Sequence, residues 1–226
     1  MKALTLLFSL FLLFPLPLSA QSANDLLQKV SEALSAGKDD YAVSLFRQAA
    51  DADVDKTEMF YWIGVDKRGR VVSRLANELA VHYKEERNYD KACLFYKEFL
   101  QRHPEDVPAL VSCAEMELMR GKEKEALKIY EKVLILDGDN LQANIYLGNY
   151  YYLKAEEDRK KLDDDYGKLS SPTRMQYARY RNGMSDLLIN GYTKAKAHLQ
   201  RVLRLFPSTE ARNTLERIKK IEAEMK

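Results

Sequence analysis

Cysteine, histidine, tryptophan, proline and glycine are all scarce in this sequence. Its 226 residues include two cysteines, three histidines, one tryptophan, six prolines and nine glycines. Two cysteines cannot make a disulfide framework, so a stable fold has to come from packed side chains. The histidines, His82, His103 and His198, are widely separated, and no HExxH or Cys/His cluster accompanies them, which removes the common zinc patterns. No GxSxG, P-loop or GxGxxG occurs either, so the sequence predicts no catalytic residue, no cofactor site and no metal site. With so few prolines and glycines there is no low-complexity linker. Neither sign of charge dominates: 36 Lys and Arg stand against 34 Asp and Glu, interleaved along the chain. A general nucleic-acid binder needs a clustered basic face to release counterions from phosphates, and that class is excluded.

One long apolar run is present, and it lies at the start. Lys2 precedes the largely apolar stretch Ala3 to Phe14, followed by Pro15, Pro17, Ser19 and Ala20. This reads as a secretory signal peptide over residues 1–20, cut after Ala20. A membrane span needs about 20 apolar residues, and prolines at the end favour a cleavage region over an uncleaved anchor. No cysteine follows the run, so a lipoprotein signal is missing. The mature chain, with 35 basic against 34 acidic residues, is expected to be exported to the periplasm or secreted, with no integral membrane span.

The remaining residues repeat. Leu79-Ala80, Cys113-Ala114 and Leu147-Gly148 are spaced 34 apart, as are Ala92 and Ala126, Tyr96 and Tyr130, and Pro104 and Gly138. In the first copy Ala76, Leu79, Ala80 and Tyr83 fall at i, i+3, i+4 and i+7, one face of a helix. A second helix follows with Ala92, Tyr96, Phe99 and Leu100, and Pro104 ends it. This pattern resembles the tetratricopeptide repeat (TPR), a helix-turn-helix unit of 34 residues that stacks into a solenoid. The resemblance implies an all-α fold, a right-handed α-solenoid with an inserted helix and a C-terminal capping helix. It also implies a protein that holds other proteins.

Repeats are expected at about 73–106, 107–140 and 141–155 plus 192–209. In the second repeat Gly138 takes the place of the usual proline and is expected to stop its helix in a left-handed conformation. Asp137-Gly138-Asp139-Asn140 lacks the further ligands and terminal Glu of a calcium loop and reads as a turn. The third repeat is split by an insertion, residues 156–191. In it Ser171 is expected to cap a helix that has Pro172 in its first turn and Gly191 as its stop. Residues 21–72 read as a divergent helical pair plus an extra helix containing Met59-Phe60-Tyr61-Trp62-Ile63. These large residues cannot all face one core, so at least one is expected to be exposed. Residues 208–225 read as the capping helix, in a TPR region spanning 73–226.

The resemblance places partner binding on the face lined by the first helices of successive repeats. Here that stripe is Asn77, Val81 and Lys84; Val111, Glu115 and Leu118; and Ile145, Asn149 and Tyr152. A carboxylate clamp is not expected, since the matching positions Val81, Ser112, Gln142 and Tyr146 carry no positive charge. The expected function is a non-catalytic adaptor or scaffold for a protein or peptide segment. Two rival readings stand beside it. One is a glycan- or small-ligand-binding protein that uses the tyrosines gathered between Tyr146 and Tyr192, which read either as packing or as a recognition surface. The other is an accessory subunit of an envelope assembly machine. Cys93 and Cys113 occupy core positions on adjacent helices, as buried thiols or as a disulfide.

Overall fold

The structure, a computed structural model, describes residues 22–225, so the signal peptide expected at 1–20 lies outside the described residues. Among the described residues every regular element is helical. The chain divides into two compact units, the first ending at Leu79 and the second beginning at Ala80.

In the first unit α1 (Ala23–Ser35) and α2 (Asp39–Ala52) form an antiparallel pair. Ser22 caps α1 by accepting a hydrogen bond from the Asp25 amide at 3.2 Å. The link turns at Gly37, whose φ of 67° is the left-handed conformation that glycine adopts without a Cβ penalty. Val30, Ala33, Ala42, Phe46 and Ala49 are buried in the unit's core. α3 (Val54–Gly64) starts from an Asp53 cap and adds Phe60 to Phe46, ring centroids 6.4 Å apart. Its aromatic run divides as helical geometry requires: Tyr61 is buried, while Trp62 and Ile63 are exposed. The unit closes with the first turns of α4 (Val72–Glu85), where Glu78 receives both Nε and Nη2 of Arg47, at 2.6 and 2.9 Å.

In the second unit the last residues of α4 pair with α5 (Tyr89–Leu100). Then come α6 (Val107–Met119) with α7 (Glu123–Leu136), and a long α8 (Leu141–Gly167). The turns after α4 and α6 sit at corresponding positions, Arg87 and Gly121, and both have positive φ, 59° and 73°. Arg87 bears the strain that Gly121 avoids. The helices approach where side chains are small. Ala92, Ala126 and Ala195 are completely buried, and a Cβ on Gly148 of α8 would lie 2.9 Å from the Leu199 side chain.

The insertion lengthens both helices of the third repeat. α8 runs on to Gly167, and the chain returns through α9 (Arg174–Leu187), one π-helical turn (Leu188–Tyr192) and α10 (Thr193–Leu205) without a break. Three expectations about helix ends change here. The cap of α9 is Thr173 rather than Ser171, because Gln176 three residues on completes a reciprocal capping box with it. Gly191 stops nothing: it lies inside the π turn, where a Cβ would come within 2.6 Å of the Ala155 Cβ. Its role is close approach, and the extra residue of the turn brings Tyr192, Ala195 and Leu199 onto α8. Gly138 does not adopt positive φ. α7 ends at an Asp137 outside the helical region, and Asn140 caps α8 from the Ala143 amide at 3.1 Å.

The hairpin of α8 and α9 is held by Gly183 against Leu162 and by Tyr180 stacked on Tyr166, 4.5 Å between centroids. Tyr180 Oη donates to Asp163 at 2.8 Å, so this acid serves the tyrosine, while Arg174, Arg179 and Arg181 are exposed. Leu187 and Leu188 pack on the core, but Tyr177 and Met175 at the far end are more than half exposed. α11 (Thr209–Glu224), capped by Ser208, covers the last repeat with Ala211, Leu215, Ile218 and Ile221.

Gly191→Ala should therefore destabilise the protein by about 1–3 kcal/mol, the usual cost of overpacking. Gly167→Ala, where a Cβ meets nothing within 4 Å, should be neutral or stabilising by up to about 1 kcal/mol. Chemical denaturation of the two variants checks the contrast, and equal midpoints would contradict it.

Candidate partner-binding face

Within the second unit, the first helices of the repeats are α4 from Ala80 onward, α6 and α8. They are tied by a polar ladder. Lys84 Nζ lies 2.7 Å from Glu115 Oε2 and 3.5 Å from Ser112 Oγ, and Gln142 Nε2 donates to Glu115 Oε1 at 3.2 Å. Lys84 is thus committed within the protein. Val81 and Ile145 are exposed beside this ladder, and Leu118 and Asn149 are half-buried. Asn77 falls in the first unit, where it is also half-buried.

Two residues of the expected stripe do not line a surface. Val111 is buried with Leu110, Ala143 and Leu147, because α7 and α8 close over that side of α6. Tyr152 is buried against Tyr192, ring centroids 6.3 Å apart, because the start of the repeat's second helix packs over that side of α8. In their place the structure brings forward Tyr146, Tyr150 and Leu153. With Asn149 and the charged rim of Glu123, Lys154 and Glu157, they line a cleft of about 350 Å³. The signal for it was present in the sequence. Residues 146, 149, 150, 153, 154 and 157 follow helical spacing along one stripe, displaced from the one chosen.

The cleft rests on a row of rings. Tyr130 stacks on Tyr146 at 4.6 Å, followed by Tyr150 at 6.1 Å, Tyr151 at 5.5 Å and His198 at 5.9 Å. Burial, reinforced by Glu115, raises the Tyr130 hydroxyl to about 12. Burial, with Glu123 and Tyr150 nearby, does the same for Tyr146. Both rings therefore stay neutral at physiological pH, and Tyr146, seated on the buried Tyr130, presents an apolar surface with a hydrogen-bonding edge. Lys154 is shared between Glu157 and Asp158, each 3.1 Å away. Behind the rings, His198 Nδ1 lies 3.0 Å from Asn144 Oδ1, and Asn144 Nδ2 donates to the carbonyls of Gly138 and Asn140. Burial, aided by Arg201, lowers the His198 pKa and favours the neutral ring.

One charged group is deeply buried. Glu117 of α6 is 1% exposed and receives Lys97 Nζ at 2.5 Å and Arg120 Nη1 at 2.8 Å, while Arg120 Nε reaches Asp90 at 2.6 Å. Burial alone would raise the Glu117 pKa. Hydrogen bonds from Lys97 and Cys93 and the two cationic side chains outweigh it and leave the value below the ordinary carboxylate range. A folded-state pKa below the unfolded one contributes stability at neutral pH that is lost as pH falls through the folded value. Glu117→Gln should cost about 1–3 kcal/mol at pH 7. It should also flatten the acid limb of stability against pH, measured by denaturation between pH 7 and pH 3. An unchanged acid limb would show that the pairing contributes nothing.

Among the described residues no group of His, Cys, Asp or Glu is arranged to hold a metal ion, and no helix is long and apolar enough to cross a membrane. The profile of the tetratricopeptide repeat family matches residues 79–106. A crystal structure from Bacteroides ovatus ATCC 8483, provisionally described as a protein binding protein, is 57% identical. The match covers 91% of this chain and 100% of that one, with a TM-score of 0.78. A thermophilic TPR protein of Thermus thermophilus is 14% identical over 89% of this chain and 100% of its own, with a TM-score of 0.34 that carries no further argument. No curated protein matches the sequence significantly. The chain belongs to the tetratricopeptide repeat family.

Proposed function

We propose that this protein is a non-catalytic adaptor, exported to the periplasm or the cell exterior. It holds a segment of another protein along the first-helix face of its second unit, within the TPR region expected at 73–226. The observation that carries the reading is the cleft of Tyr146, Asn149, Tyr150 and Leu153, flanked by the exposed Ile145. Stiff aromatic walls with a polar rim suit an apolar side chain of a bound segment, whose backbone the rim groups can hydrogen-bond. Lys84 is saturated by Glu115, which favours an internal segment over a terminal carboxylate. The 57% identical Bacteroides ovatus protein, with its provisional description as protein binding, supports the same class.

The tyrosines give less support to a glycan site. Tyr152 and Tyr192 are core residues, and Tyr166 and Tyr180 stack on each other.

Photo-crosslinking tests the reading. With a photoreactive residue at Ile145 or Leu153, envelope extract should yield a shared protein adduct. The same residue at Lys128, exposed on the second helix α7, should not yield it. Tyr150→Ala should weaken capture by about 2 kcal/mol, as expected for a central aromatic anchor, with little change in melting temperature. Adducts only at Lys128, or none at either cleft position, would contradict the assignment.

A further inference from the structure

The chain's two cysteines face one another across the α5–α6 contact, and the adaptor reading makes no use of them. Both are about 1% exposed. α5 and α6 run antiparallel, with Asp90 at the start of one bonded to Arg120 just past the end of the other, and this sets Cys93 beside Cys113 and Glu117. Cys93 Sγ lies 3.2 Å from Glu117 Oε1, and Lys97 Nζ lies 2.5 Å from the same oxygen. Cys113 lies one turn before Glu117 on the same face of α6, and the two thiols are close enough to shift one another's ionisation. Arg120 Nη1 donates to Cys93 Sγ at 3.3 Å, and its Nε is held by Asp90.

This cluster treats the two sulfurs differently. The neighbouring Cys113 thiol lowers Cys93 to about 7 against the opposing effects of burial and the Glu117 carboxylate, with help from the Lys97 charge. The same pairing and burial push Cys113 upward, so it keeps its proton. A thiol beside an arginine and a lysine, more acidic than its neighbouring thiol even with the Glu117 carboxylate 3.2 Å away, is the arrangement of an attacking and a resolving cysteine.

We propose that Cys93 and Cys113 are a dithiol that closes to an intramolecular disulfide by exchange with a low-molecular-weight disulfide, Cys93 attacking first. The Cys93 thiolate attacks one sulfur of the oxidant, forming a mixed disulfide and releasing one thiolate. Cys113 then attacks Cys93 Sγ, and its proton passes to the second departing thiolate. The protein exchanges two thiols for one S–S bond and loses two electrons, and the oxidant is reduced to two thiols. Because both sulfurs are buried, exchange proceeds as α5 and α6 part. The product bond ties the second helix of one repeat to the first helix of the next.

The test uses the full chain, incubated with oxidised glutathione, trapped with N-ethylmaleimide and weighed intact without reduction. The expected product is a monomer that has lost two hydrogens, takes up no maleimide and melts above the reduced protein. Cys113→Ala should accumulate a glutathione adduct on Cys93, whereas Cys93→Ala should react at least several-fold more slowly. In case either variant folds poorly, the order of attack is also read in the wild type. Peptide mapping of maleimide labelling should find Cys93 modified first. Two free thiols persisting in the wild type, disulfide-linked dimers in place of the monomer, or first modification at Cys113 would each overturn the proposal.

Discussion

Helices can lie close together only where side chains leave room, and the packing of the second unit depends on that allowance. Ala92, Ala126 and Ala195 are fully buried at corresponding places in three second helices, and Gly148 admits Leu199 where a Cβ would collide. Dispersion falls steeply with separation, so each missing methyl lets the larger neighbours make full contact. The insertion obeys the same rule. Gly183 and Gly191 let the returning helix rest on Leu162 and Ala155, and so the long hairpin is packed as an extension of the third repeat.

Polar groups inside this packing are matched with equal care. No buried side-chain nitrogen or oxygen among the described residues lacks a hydrogen-bond partner. Glu117 joins α5 to α6 through Lys97 and Arg120, and Asn144 with His198 joins the α7–α8 turn to α10. Buried charges of this kind add little net stability, yet removing one partner is costly, so they penalise any slipped arrangement of the helices. With the register fixed on the inside, the outer side of α8 can present Tyr150 and Leu153 beside Tyr146, whose inner face packs on the core.

Much of this was legible in the sequence because a 34-residue period repeats both the helical face and the turn. The small residues at Ala92 and Ala126, the helix at Met59 to Gly64 and the final helix all follow from spacing and capping signals. What was not legible depends on which neighbour covers which face. Val111 and Tyr152 share the spacing of surface positions, but α7 closes over the first and Tyr192 over the second. Glycine was equally ambiguous. At Gly121 it supplies a left-handed turn, at Gly191 it permits contact inside a continuing helix, and at Gly138 it does neither. Only the position of the opposing helix separates those roles.

The claim that close approach at small residues makes the inserted hairpin part of the repeat core is tested most directly by hydrogen exchange on the purified monomer. Strong protection from Gly183 through Tyr192, at the level of α8 between Leu147 and Ala155, with faster exchange near Met175 and Tyr177, is the predicted pattern. Rapid exchange throughout Arg174 to Tyr192 would contradict it, since a helix packed through Gly183 and Gly191 cannot open independently of the repeat it rests on.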